Sequence, residues 1–144
     1  MSAQTTVKRS PLQLAAGLFG VTFLLVGILG FVPGITSGIE HLGFAGHHSE
    51  AMLLGVFQIS TLHNLVHLIF GVLGLVAATA APRSKMFLVL SGAVYLVLWI
   101  YGLAAGSGPA NFIPLNMADN WLHFILGTVM LLSGLLLGRK VTRH

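Results

Sequence analysis

Seven histidines and three acidic residues supply nearly all the side chains of this 144-residue chain that could ligate a metal or move a proton near neutrality, because cysteine is absent. Their spacing singles out two segments. His63 and His67 stand four apart, which puts both on one face of a helix, and Asn64 precedes His67 by three. Asp119, Asn120 and His123 repeat this order, so that each segment has an Asn three residues before a His and a Gly (Gly71, Gly127) four residues after it. Imidazole suits zinc, copper and iron, and two histidines on different helices can serve as axial ligands of a haem. The candidate metal set is therefore His63, His67, Asp119 and His123, with His67 and His123 as the candidate haem or cofactor pair. Asn64 and Asn120 are expected to form a polar rim above them.

Three chemistries compete for this cluster. Neutral His and Asn side chains hydrogen-bond across membrane helices and pin their register, which is the first expectation. Ligation of haem or a divalent transition metal is the second, and a site for a polar small molecule or for proton handling is the third. A further group, His41, His47 and His48 with Glu40 and Glu50, falls in a loop and could join His63 in a surface metal site. Solvated loop histidines are the commoner outcome.

Other activities lack their residues. Without Cys there is no disulfide, thiolate metal site or Cys nucleophile. Ser60, Ser91 and Ser133 have no adjacent base. No Gly-rich phosphate loop, H-E-x-x-H motif or multi-histidine array of the di-iron oxygenase kind is present. The sequence thus leans away from an enzyme.

The elements that position the cluster follow from composition. Hydrophobic residues make up 56% of the chain and charged ones 7%, against about 25% charged in soluble domains. That scarcity points to lipid as the solvent. Four apolar stretches predict an all-α membrane protein of four transmembrane helices, at about 12–32, 51–81 (membrane core about 63–82), 86–105 and 120–138. An external loop spans about 33–49, and tails cover 1–11 and 139–144, with His144 terminal. Lys8–Arg9 before an apolar run resembles a signal peptide, but the run is longer than a signal core and no small-residue cleavage pattern follows.

Charge sets the orientation. Lys8, Arg9, Arg83, Lys85, Arg139, Lys140 and Arg143 all fall on one side of these spans, and Glu40, Glu50 and Asp119 on the other. The positive-inside rule then predicts cytoplasmic N- and C-termini in a multi-pass plasma-membrane protein. The basic excess is thereby explained without nucleic acid. An internal repeat is also expected. The second and fourth spans align at an offset of 56, and the first and third more loosely at 75, as two hairpins forming a parallel repeat. Ala16-x-x-x-Gly20, Gly102-x-x-x-Gly106 and Gly134-x-x-x-Gly138 are small-residue pairs that allow close helix contact.

Several stretches carry a family resemblance: Phe31-Val32-Pro33-Gly34-Ile35, Leu42 to His47, Leu62-His63-Asn64-Leu65-Val66-His67, Asn111 to Asn116 and Ala118 to His123. Over about residues 12–138 the chain resembles domain-of-unknown-function family 4383, small membrane proteins of actinobacterial type. The resemblance implies a four-span plasma-membrane protein and supplies no activity. The leading expectation is a structural or accessory subunit of a membrane assembly, embedded in the lipid bilayer as a homo-oligomer or part of a larger complex. The alternatives are a haem- or metal-binding redox protein using His67 and His123, and a small oligomeric channel or carrier.

Overall fold

The structure, a computed structural model, describes residues 8–141, so much of both expected tails, His144 included, lies outside the described residues. Its body is four helices: α1 (Pro11–Leu29), α2 (Thr61–Ala77), α3 (Ala81–Ala105) and α4 (Met117–Val141). Of these, α1, α3 and α4 are long and apolar enough to cross a membrane. At 17 residues, α2 is about 25 Å long, short of a hydrocarbon core of about 30 Å.

Three of the helices begin on a side-chain cap. Gln13 N–H donates to Ser10 Oγ at 3.3 Å and Ser10 N–H to Gln13 Oε1 at 3.0 Å, a reciprocal pair that satisfies two otherwise unpaired donors of α1. Ser60 Oγ accepts from His63 N–H at 3.1 Å and opens α2. At α4 the reciprocal arrangement recurs, with Asp119 N–H donating to Asn116 Oδ1 at 2.9 Å and Asn116 N–H to Asp119 Oδ2 at 3.0 Å.

Within the apolar stretch 51–81, α2 begins only at Thr61. The first part of the stretch forms a hairpin of β2 (Met52–Leu53) and β3 (Phe57–Gln58), joined by β1 (Thr36–Ser37) in an antiparallel sheet of order β1-β2-β3. The turn holds Leu54 and Gly55 at φ of 55° and 69°, a left-handed conformation that Gly adopts without penalty. An unbroken apolar run reads alike as helix or strand, which is why periodicity hid the hairpin. Pro82, expected to end the second span, instead lies in the first turn of α3, where its missing N–H costs nothing. Arg83 and Lys85 are therefore helical, and the α2–α3 connection shrinks to residues 78–80. Arg139, expected in a tail, continues α4.

Gln13 Nε2 donates to the Ala78 carbonyl at 3.1 Å, tying the start of α1 to the α2–α3 turn. Lys8, Arg9, Arg83, Lys85 and Arg139 thus share one end of the bundle, and Glu40, Glu50 and Asp119 the other.

Helix α1 packs chiefly on α2, and α3 on α4. Both contacts are backbone to backbone. A Cβ on Gly20 would stand 2.8 Å from Leu75 N and 3.0 Å from Gly71 O, and one on Gly92 would stand 2.7 Å from Leu131 N and 2.9 Å from Gly127 O. Gly71 and Gly127 return the contact, against Leu24 and Leu96. The core between the pairs is closed by Phe23 and Tyr95, stacked at 5.3 Å between ring centroids and 13° between planes. Because backbone cannot yield as a side chain can, Gly92→Val is expected to cost about 1–3 kcal/mol by overpacking. A lowered thermal transition in detergent would register that cost, whereas Gly17→Ala, whose Cβ would meet only Ala78 Cβ at an ordinary 3.6 Å, is expected to leave it nearly unchanged.

Candidate functional site

The turn after Ser60 places His63 in the first turn of α2 and His67 one turn deeper, on the face turned to α4. His123 joins them from α4. One ligand atom from each of the three lies within 4.8 Å of the others, and all three side chains are buried. His63 Nε2 and His67 Nε2 are 3.1 Å apart. That is a hydrogen bond when one nitrogen carries the proton and the other does not. It is the one hydrogen bond among the three rings, and it lies within α2.

Aromatic rings fix the planes of two histidines. Phe23 meets His67 edge-on at 5.6 Å and 74°, and Tyr95 meets His123 edge-on at 5.0 Å and 81°. Tyr95 also meets His67 edge-on, so it touches both histidines through its ring. Nδ1 of His63, His67 and His123 is buried without a hydrogen-bond partner. Leaving such a group unpaired costs about 1–3 kcal/mol each.

The remaining candidates are placed elsewhere. Asp119 lines the same cavity as the three histidines but stands outside their group of ligand atoms. Its Oδ2 accepts from Asn116 N–H and from Gln58 N–H, each at 3.0 Å, so it caps α4 and holds the β3 hairpin to it. Asn64 and Asn120 form no rim over the histidines. A step of one residue from His63 turns Asn64 about 100° around the helix, and it packs instead on Gly30, as Asn120 packs on Gly102. The loop histidines do not gather with His63. The His47 and His48 rings lie 3.9 Å apart, tilted by 40°, and His41 pairs with Glu40 at 3.6 Å in an exposed position.

Two cavities border the histidines. One, of about 290 Å³, lies between α1 and α4 beneath the hairpin; the other, of about 90 Å³, lies between α2 and α3 beneath Ile113. Gln58 and Asn116 were not singled out from sequence, although Asn116-x-x-Asp119 is a readable helix-start signal.

Fold and site together define a helical membrane protein with a buried histidine cluster near one end of its bundle. The chain belongs to the family described as domain of unknown function 4383, whose model matches residues 13–136. It is also 33% identical over 123 residues to nucleobase-ascorbate transporter 4 of Arabidopsis thaliana, a match covering 85% of this chain. The matched part is 22% of that transporter, so this chain spans about a fifth of its length. No solved structure matches.

Asp119 holds the β2–β3 hairpin to α4 through Gln58 N–H and caps α4 through Asn116 N–H, so Asp119→Ala is expected to destabilise the fold by about 1–3 kcal/mol. A lower melting temperature, with faster proteolysis of the loop between α1 and α2, is the measurement that checks this.

Proposed function

We propose that this protein is a four-span membrane protein that binds one divalent transition-metal ion through His63, His67 and His123. The observation that supports this is the convergence of three buried imidazoles from two helices, with ligand atoms within 4.8 Å of one another. An ion about 2.0–2.1 Å from each nitrogen separates two ligands by about 2.8–3.4 Å, between right-angle and tetrahedral geometry. His63 and His67 stand at 3.1 Å. The same crowding favours an ion over a haem held by His67 and His123, because His63 Nε2 occupies space beside His67 Nε2 that the macrocycle would need.

A purely structural cluster would spend its side chains on hydrogen bonds between helices. Here the one hydrogen bond among the rings stays within α2. That weighs against the accessory-subunit expectation. A channel or carrier role has the likeness to the transporter behind it, over about a fifth of that protein.

In the topology we infer, both termini are cytoplasmic in the plasma membrane, supported by the basic residues gathered at one end of the bundle. The two hairpins, α1–α2 and α3–α4, are read as a parallel repeat. The matched contacts of Gly20 with Gly92, Leu24 with Leu96 and Gly30 with Gly102 support an offset of 72 for α1 and α3, three residues from the one the glycine pattern alone suggests. The offset of 56 between α2 and α4 is supported by Gly71 with Gly127 and Asn64 with Asn120.

Protein purified without chelator and dialysed against zinc is expected to hold one ion per chain. His67→Ala and His123→Ala should each weaken binding by more than the roughly 10–100-fold that follows loss of a supporting group. Elemental analysis of all three proteins decides; an ion content equal to that of a chelator-treated control in the unsubstituted protein would end the metal reading. For topology, the absence of Cys permits clean labelling. Glu40→Cys should react with a membrane-impermeant maleimide on intact cells, and Thr79→Cys only after permeabilisation. The reverse pattern would invert the protein.

A further inference from the structure

We propose that the histidine site is completed from the bilayer, by the carboxylate end of an apolar, chain-like molecule seated in the cavity between α1 and α4. The inference rests on the reading of His63, His67 and His123 as metal ligands. Three protein ligands leave a four-coordinate ion one open position, the arrangement of sites that take up an outside molecule rather than of closed structural ones. All three histidines line the cavity of about 290 Å³, so the open position has space beside it.

Charge selects the donor. Three neutral imidazoles leave the two positive charges of the ion uncompensated in apolar surroundings, which is costly. The carboxylate on the cavity wall, Asp119, has its Oδ2 held by the backbone N–H groups of Asn116 and Gln58, and neither of its oxygens falls within the ligand group. An anionic donor must therefore come from elsewhere.

The walls select the rest of the molecule. Leu25, Leu29, Leu54, Phe57, Leu122 and Leu126 surround the space, and Leu25 and Leu54 are more than half exposed on the outer flank of the bundle. In a membrane that flank faces acyl chains, so an apolar body reaches the cavity sideways with its polar end toward the histidines. Hydroxide from the aqueous side would match the charge but leave the apolar walls unfilled.

The test uses the full chain in phosphatidylcholine nanodiscs, with Co(II) as the metal and decanoate as the probe. Co(II) should bind once per chain and give a visible ligand-field spectrum. Decanoate should then shift that spectrum saturably, and decanol, equally apolar but without a carboxylate, should not. Leu122→Trp narrows the cavity and should weaken the decanoate response by about tenfold or more while Co(II) stoichiometry is kept; Leu126→Phe is a milder filling for use if the first variant does not fold. A spectrum indifferent to decanoate, equal shifts with decanol, or an undiminished response in the folded filled variant overturns the proposal while leaving the metal site standing. Failure to bind Co(II) at the first step overturns both readings.

Discussion

Direct backbone contact between helices, made possible by glycine, is the constraint from which the rest of this molecule follows. In lipid there is no hydrophobic drive to bring helices together, so close van der Waals packing must do it. Gly20, Gly71 and Gly74 supply that contact for α1 and α2, and Gly92 and Gly127 for α3 and α4. Tight packing within each hairpin leaves the two hairpins to meet through side chains, with Phe23 on Tyr95 at the centre. The looser seams between them are where the two cavities lie, and the histidines stand between those cavities.

The loop between α1 and α2 covers this arrangement at one end of the bundle. Its hairpin is fastened to α4 by Gln58 N–H on Asp119 and by Asn116 Nδ2 on the Val56 carbonyl, at 3.0 and 2.7 Å. Ser49 is buried inside the loop, its Oγ donating to the Ile59 carbonyl and accepting from Gly43 N–H. These bonds satisfy backbone groups that irregular structure over an apolar bundle would otherwise leave unpaired. A loop so anchored positions the cavity roof, Leu53, Leu54 and Phe57, above the three histidines.

Much of the helical body was legible in the residues. Apolar length gave α1, α3 and α4 to within a few residues, since a segment that must span lipid cannot also be polar. The shared Asn–His–Gly order of α2 and α4 pointed to the residues that meet at the centre. What stayed hidden was local. The β2–β3 hairpin lay inside an unbroken apolar run, where Gly55 was the one signal of a turn. Pro82 read as a stop because a proline ends a helix as readily as it begins one. Asp119 read as a ligand because its type fits a metal, and its actual partners come from chain segments distant in sequence or at a helix start.

Sequence by itself determined the solvent, the apolar helices and the separation of basic from acidic residues toward opposite ends, because each depends on composition along the chain. It also nominated His63, His67 and His123, since scarce polar residues in apolar helices stand out by type and spacing. Tertiary structure alone decided that the three converge while Asp119 turns to the hairpin and Asn64 and Asn120 turn to glycines. The reason is geometric: spacing fixes which side chains share a helix face, but only the packing of a second helix decides what that face meets.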